Sequence, residues 1–268
     1  MDPGRMETAG TRSPDRLAES GELAAKWTTR LRTPITSPRI AAMAADAGLS
    51  CLFWSIVQSS GLPFAELALP AGTEEDAVPI QLGTFRIVSE SEDLARAAAG
   101  FRARAIKEFA LAPGLPLTVR LYLPWFCVLP SVEARGVPFA ASLSRFGLAP
   151  GRVIAELAVP ADGDTGAVVA QSAKLRDIGL QTALRVEALT DQAFACALDV
   201  APDYVHVVEA PRSFEAAREM KVFLDGVTRK RSRTIVGNVS GPDDATHVDS
   251  LGVSLFYGDA IAAPRFLC

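Results

Sequence analysis

The feature that most constrains this chain is an alternation. From residue 153 onward, short apolar runs recur at regular spacing, with helix-compatible segments between them. The strand candidates are 153–157, 180–185, 204–208 and 232–236, with a last short one at 253–256. The intervening segments, 165–178, 190–199, 213–227 and 242–250, are long enough for helices. Parallel strands need such crossovers, because a tight turn joins only antiparallel neighbours. Upstream, 117–123 is a further strand candidate. A helix over 91–111 precedes it and places Leu94, Ala98, Phe101, Ala105 and Phe109 on one side. The runs 51–57 and 64–69 flank a short SSGLP turn, so that opening pair is expected to be antiparallel. Six or more strand–helix units in about 220 residues predict an α/β fold, a closed TIM-type (β/α)8 barrel with an antiparallel first strand. An open doubly wound sheet is the alternative, but neither a GxGxxG nor a P-loop motif follows any strand.

Composition narrows the function classes. The chain has 268 residues, 49% of them hydrophobic, too apolar for a wholly disordered protein. Its 27 basic and 31 acidic residues give a net charge of −4, which argues against nucleic-acid binding driven by overall charge. With only His206 and His247, a multi-histidine metal centre is not expected. The best apolar stretch, 41–57, carries Asp46 and several polar residues, so no membrane span is expected. The N-terminus lacks the apolar core of a signal peptide, and a cytoplasmic location follows as the expectation. Cys51, Cys127, Cys196 and Cys268 are far apart and form no CxxC, which suits scattered reduced thiols. Residues 1–48 read as a flexible leader with short helical segments near 13–30 and 38–47, and 49–268 as the barrel.

Eight blocks then follow in order: LFWSIV (52–57), AELALP (65–70), LTVRLYLPWF (117–126), GLAPGRVIAELAV (147–159), LRDIGLQTALRVEAL (175–189), PDYVHVV (202–208), TIVGNVSGPDD (234–244) and LGVSLFYGDAIAAP (251–264). In order and spacing they resemble the EAL domain, a family that hydrolyses cyclic di-GMP on a TIM-type barrel. Trp54 and Ser55 replace the Gln and Pro of its opening block, and Glu66 stands at its signature Glu. Arg120 stands at a metal-binding Asn. Glu156 fits the first Glu of the next block, with Val159 at the second. Arg185 and Val186 replace two metal-binding Asp residues, His206 the catalytic Lys, and Val208 an Asp. Gly237 and Ser240 stand at two Glu positions and Tyr257 at a Gln, whereas Gly252, Gly258 and Pro264 match.

The resemblance implies a barrel whose framework survives while its chemistry is degenerate. Two-metal hydrolysis needs clustered oxygen donors. Only Glu66 and Glu156 remain, and the guanidinium groups of Arg120 and Arg185 repel cations. The expectation is a catalytically inactive regulatory or adaptor protein in bacterial cyclic di-GMP-related signalling, acting on an unidentified protein partner, with no cofactor or metal. Cyclic di-GMP is a possible ligand, with Arg120, Arg185 and Glu66 as candidate contacts, and a divergent phosphodiesterase is the rival reading. Glu66, Arg120, Glu156 and Arg185 are expected to form an alternating, self-neutralising ring at the C-terminal end of the barrel. His206 is expected to be hydrogen-bonded in the core, and the basic run Arg229, Lys230, Arg231 and Arg233 to be a solvated connection. The family's pairing loop, here 186–190, lacks its glycines, so the oligomeric state stays open.

Overall fold

A computed structural model describes residues 50–71, 92–130, 132, 138–160, 163–228 and 231–267. The expected leader, 1–48, lies outside the described residues. Eight strands close into a barrel in sequence order: β1 (Ser50–Gln58), β2 (Pro63–Ala71), β3 (Arg120–Leu123), β4 (Val153–Ala158), β5 (Gln181–Val186), β6 (Tyr204–Val207), β7 (Arg233–Val236) and β8 (Leu255–Phe256). From β2 to β8 each strand pairs in parallel with the next, and β1 closes the barrel antiparallel to both β2 and β8. The antiparallel pair follows from the short turn, in which Gly61 takes φ +81° and the Gln58 N–H donates to the Leu62 carbonyl. The strand expectations hold, except that β3 and β8 are shorter. Residues 117 and 118 form a turn instead, with the Val119 N–H donating to the Pro116 carbonyl.

Helices cover the barrel: α1 (Glu92–Leu111), α2 (Phe139–Arg145), α3 (Thr165–Asp177), α4 (Asp191–Val200), α5 (Phe214–Thr228) and α6 (Pro242–Ser250). Apolar residues at helical spacing make α1 a cover. Ala98, Phe101, Ala105 and Phe109 are buried in one cluster with Cys51 and Phe53 of β1 and Ala68 of β2. Two starts carry side-chain caps: Asp164 accepts from the Gly166 N–H before α3, and Thr190 accepts from the Ala193 N–H before α4.

Strand alternation separates two cores. Leu52, Trp54 and Ile56 of β1, Leu67 of β2, Tyr122 of β3 and Tyr257 after β8 share the barrel interior. Their neighbours Cys51, Phe53, Ala68, Leu121 and Val186 face the helices. Buried on both faces, these strands read as near-continuous apolar runs. Any polar group on an inward position is therefore enclosed and has to find its partners inside the barrel.

Candidate functional site

A polar network centred on Glu156 occupies the interior toward the C-terminal ends of the strands. Glu156 of β4 is fully buried, and three donors surround its carboxylate. The Tyr122 hydroxyl donates to Oε1 at 2.8 Å, and the Trp125 backbone N–H donates to Oε2 at 3.2 Å. His206 Nδ1 lies 2.6 Å from Oε1, and His206 Nε2 lies 3.0 Å from the Tyr257 hydroxyl. The chain Glu156–His206–Tyr257 thus crosses from β4 to the end of β8. Tyr122 also stands edge-on to the imidazole at 5.7 Å, and Trp54 edge-on to Tyr257 at 5.0 Å. Trp54 in turn donates its indole N–H to the Ala262 carbonyl at 2.6 Å.

The electrostatics follow from this enclosure. Burial alone would push the Glu156 carboxyl up. The hydrogen bond and charge of His206, the charge of Arg185 and the Tyr122 hydroxyl outweigh it and hold the group below its ordinary value. Burial, then the nearby Glu156 carboxylate, raises the Tyr122 phenol well above its usual range. Burial also raises the Tyr257 phenol. Desolvation works against the Arg185 cation, but Glu156 and Glu187 keep its pKa above normal. The site therefore holds a carboxylate, a guanidinium and two neutral phenols.

Arg185 sits at the C-terminal end of β5, 8% exposed, and its Nε donates to Glu187 Oε1 at 3.2 Å. It borders a cavity of about 330 Å³ lined also by Trp125, Ala158, Pro160, Thr190 and Gln192.

The structure brings together Glu156, Arg185, His206 and Tyr257, and rearranges the others. Glu66 lies opposite Ser55 in the β1–β2 ladder, on the outer face with Phe53 and Ala68, and Leu67 takes the inward position. Ser55 donates to both Glu66 oxygens at 3.0 and 3.1 Å, and Arg265 donates to Glu66 Oε1 at 2.8 Å and to Ser55 Oγ at 2.6 Å. Arg120 is inward but begins β3, at the opposite end of the barrel, where its Nε donates to Gln181 Oε1 at 2.9 Å. Tyr122, two residues on, holds the position against Glu156. The expected Glu–Arg–Glu–Arg ring is therefore not formed. Its purpose is met by other residues: Arg265 partners Glu66, and His206 with Arg185 serves Glu156.

The remaining substituted positions are filled by packing. Val186 is buried on the outer face. Val208 extends the β5–β6 ladder through its N–H to the Val186 carbonyl. At Gly237 an added Cβ would lie 2.5 Å from the Tyr257 hydroxyl and 2.6 Å from the Val208 carbonyl, so Tyr257 occupies the space a side chain would need. His206 makes the core hydrogen bonds expected of it. Tyr122 follows Arg120 with the same strand parity, a signal that was present but ambiguous in level. Arg265 lies beyond the last strand, and no pattern marked it.

Divalent cations of the kind the resemblance implies would need several free oxygen donors. The interior supplies Glu156, whose two oxygens already accept from protein donors, and Arg185 stands beside it. Among the described residues, no three His, Cys, Asp or Glu side chains group in a way that could hold a metal ion. The residues present do not fit a metal pair. Among the described residues, no helix is long and apolar enough to cross a membrane.

Neither a family model nor a curated relative matches the sequence. Solved structures do match in shape. A standalone EAL protein from Vibrio cholerae O395, solved with c-di-GMP bound, superposes with TM-score 0.65 at 18% identity, covering 83% of this chain and 94% of its own. The Xanthomonas citri FimX EAL domain in complex with c-di-GMP gives 0.67 at 13% identity, over 95% of this chain and 98% of its own. The PaMucR phosphodiesterase in its c-di-GMP complex gives 0.65 at 14%, over 93% and 97%.

This chain has the EAL-domain fold. Its antiparallel β1 and closed eight-strand order agree with those EAL structures, and its interior carries the Glu156–His206–Tyr257 chain.

Proposed function

We propose that this EAL-fold chain is a non-hydrolysing regulatory protein of bacterial c-di-GMP-related signalling that works through a protein partner. The observation that carries the reading is the state of Glu156: buried, held ionised, and with both oxygens accepting from Tyr122, His206 and the Trp125 N–H. A carboxylate so engaged keeps at most one of its four lone pairs open to a cation, and among the described residues no second interior carboxylate assists it. Hydrolysis of a phosphodiester by a metal-activated water needs several open ligands of that kind. The test is turnover of c-di-GMP in magnesium or manganese. The expected outcome is no linear dinucleotide above a protein-free control, and hydrolysis abolished by Glu156→Ala would overturn the reading and favour the divergent phosphodiesterase.

A second reading is a c-di-GMP receptor that does not hydrolyse. Arg185 at the lip of the cavity beside Trp125 supports it, since a guanidinium binds phosphate well. Against it, Arg185 already donates to Glu187. Titration calorimetry with c-di-GMP on the intact chain and on Arg185→Ala separates the two. Binding lost in the variant supports the receptor, and no heat in either supports the partner-only reading.

A further inference from the structure

At the N-terminal end of the barrel, opposite the Glu156 network, the strand starts assemble a second distinctive surface. Arg120 begins β3 and Arg233 begins β7, and their guanidinium carbons lie 4.8 and 4.9 Å from the centroid of one ring, Phe64. Phe64 is buried and packs edge-on against Tyr204 at 5.7 Å, so the platform under the two cations is rigid. Arg231 is exposed two residues before Arg233, and the Ser232 hydroxyl between them is tied to the Pro202 carbonyl at 2.6 Å. Among the described residues, no ion pair engages Arg120, Arg231 or Arg233. Asp203, whose backbone carbonyl accepts from the Arg233 N–H at 2.9 Å, turns its carboxylate to the Thr182 N–H at 2.7 Å and the Thr182 hydroxyl at 3.3 Å.

Apolar side chains flank these cations. Leu62 precedes β2 and is 61% exposed, Leu117 precedes β3 and is 81% exposed, and Leu111 ends α1 at 61%. Three large exposed aliphatics at the end that also carries unpaired arginines are more than scattered surface hydrophobes. Arg120 and Arg233 share one ring and, among the described residues, none of the three arginines is ion-paired, so this end suits an anionic counterpart. The leucines decide its class. A phosphate backbone gains nothing from them, and the aromatics beneath the arginines, Phe64 and Tyr204, are buried and offer no face for a base.

We infer that the N-terminal end of the barrel is a docking surface for an acidic, leucine-bearing polypeptide segment of a partner protein, with Arg120, Arg231 and Arg233 pairing its carboxylates and Leu62 and Leu117 receiving its apolar side chains. The inference rests on the proposed partner-binding role and gives that role a location. It also brings Arg231 and Arg233, the described members of the basic run, into one surface with Arg120, some 110 residues upstream; Arg229 and Lys230 lie outside the described residues.

The test uses the full chain and a fluorescein-labelled short peptide of mixed Glu and Leu. Its Gln-for-Glu counterpart and a short oligothymidylate serve as comparators, all read by anisotropy at low salt. The expected result is saturable binding of the Glu–Leu peptide, weakened about tenfold or more by Arg231→Gln/Arg233→Gln and weakened again by Leu117→Ser. Both arginines are exposed, so these variants fold, and unchanged thermal melts check it. Arg120→Gln is added to measure the third cation. No binding of the Glu–Leu peptide, equal binding of the Gln peptide, or tighter binding of oligothymidylate overturns the inference. So does salt-sensitive self-association of the chain alone that Arg233→Gln abolishes, because the occupant is then a second copy. Detection of c-di-GMP hydrolysis fails the proposed function without touching these titrations, so the two fail separately.

Discussion

Glu156 carries a charge inside an apolar barrel, and each neighbour answers part of that cost. Its three donors come from β3, from the turn just after it, and from β6. Truncation to Ala leaves the Trp125 N–H without an acceptor and Tyr122 and His206 with only each other, 3.2 Å apart, on that side, and breaking a buried pair from one side costs about 3–5 kcal/mol. Glu156→Gln keeps one oxygen and turns the other end into a donor, for about 1–3 kcal/mol. Urea unfolding of both variants should reproduce that order. The pH dependence has a fixed sign. The folded carboxyl lies below its unfolded value, so its contribution is complete above the ordinary carboxylate range and is lost as pH falls through the depressed value. Melting temperature should therefore decline on the acid side, and Glu156→Gln should flatten that decline. The smaller share of Asp244, held down first by its Ser240 hydrogen bond, remains. Gly237 gives a companion prediction. Gly237→Ala should cost roughly 1–3 kcal/mol by overpacking, and Tyr257→Phe should fail to rescue it, because Tyr257 Cζ and the Val208 carbonyl oxygen are each only 2.6 Å from the added carbon.

At the level of elements, the strands were legible and the faces were not. Continuous apolar runs marked β1, β2 and β4–β7 to within a residue or two, because strands buried on both sides have no polar alternation to hide in. That same absence removes the signal that tells inside from outside. A shift of one residue in a strand exchanges its two faces. Reading AELALP by letters placed Glu66 at the barrel mouth, whereas the ladder sets Glu66 opposite Ser55 on the outer face and turns Leu67 inward. In β3 the displacement is two residues. The face is kept, but Arg120 drops about 7 Å down the barrel at roughly 3.3 Å per residue, and Tyr122 meets Glu156. The C-terminal segment supplies what the letters could not. Arg265 pairs its backbone with Phe53, and its side chain holds Glu66, itself 1% exposed. Arg265→Ala should therefore destabilise the β1–β2 edge by about 1–3 kcal/mol, the cost of an unsatisfied buried acceptor that water partly reaches beside a half-exposed arginine. Adding Glu66→Gln should recover part of that loss in chemical denaturation, which separates charge compensation from simple packing.

For the whole molecule, the two ends of the barrel have exchanged expectations. The C-terminal end, where an EAL phosphodiesterase would be expected to gather cations, here closes on itself through protein hydrogen bonds. The arginines that sequence order assigned to one ring are divided, Arg185 at that end and Arg120 at the other. This division makes a bulk prediction about metals that needs no turnover. A ligand that binds only the native state adds stability by mass action, about 2.7 kcal/mol when present at a hundred times its dissociation constant. A barrel with a working two-cation centre would melt higher in millimolar magnesium or manganese and lower after chelation. Here Glu156 already spends three of its four lone pairs on Tyr122, His206 and the Trp125 N–H, and Arg185 repels any arriving cation. The melting temperature should be the same within error with magnesium, with manganese and with chelator. Removing the competition tests the cause: Tyr122→Phe with His206→Ala frees Glu156 Oε1, yet a single carboxylate beside a guanidinium should still give no metal-dependent shift. A shift in that variant would place the block in the hydrogen bonds, and a shift in the unmodified chain would show that the interior holds cations after all.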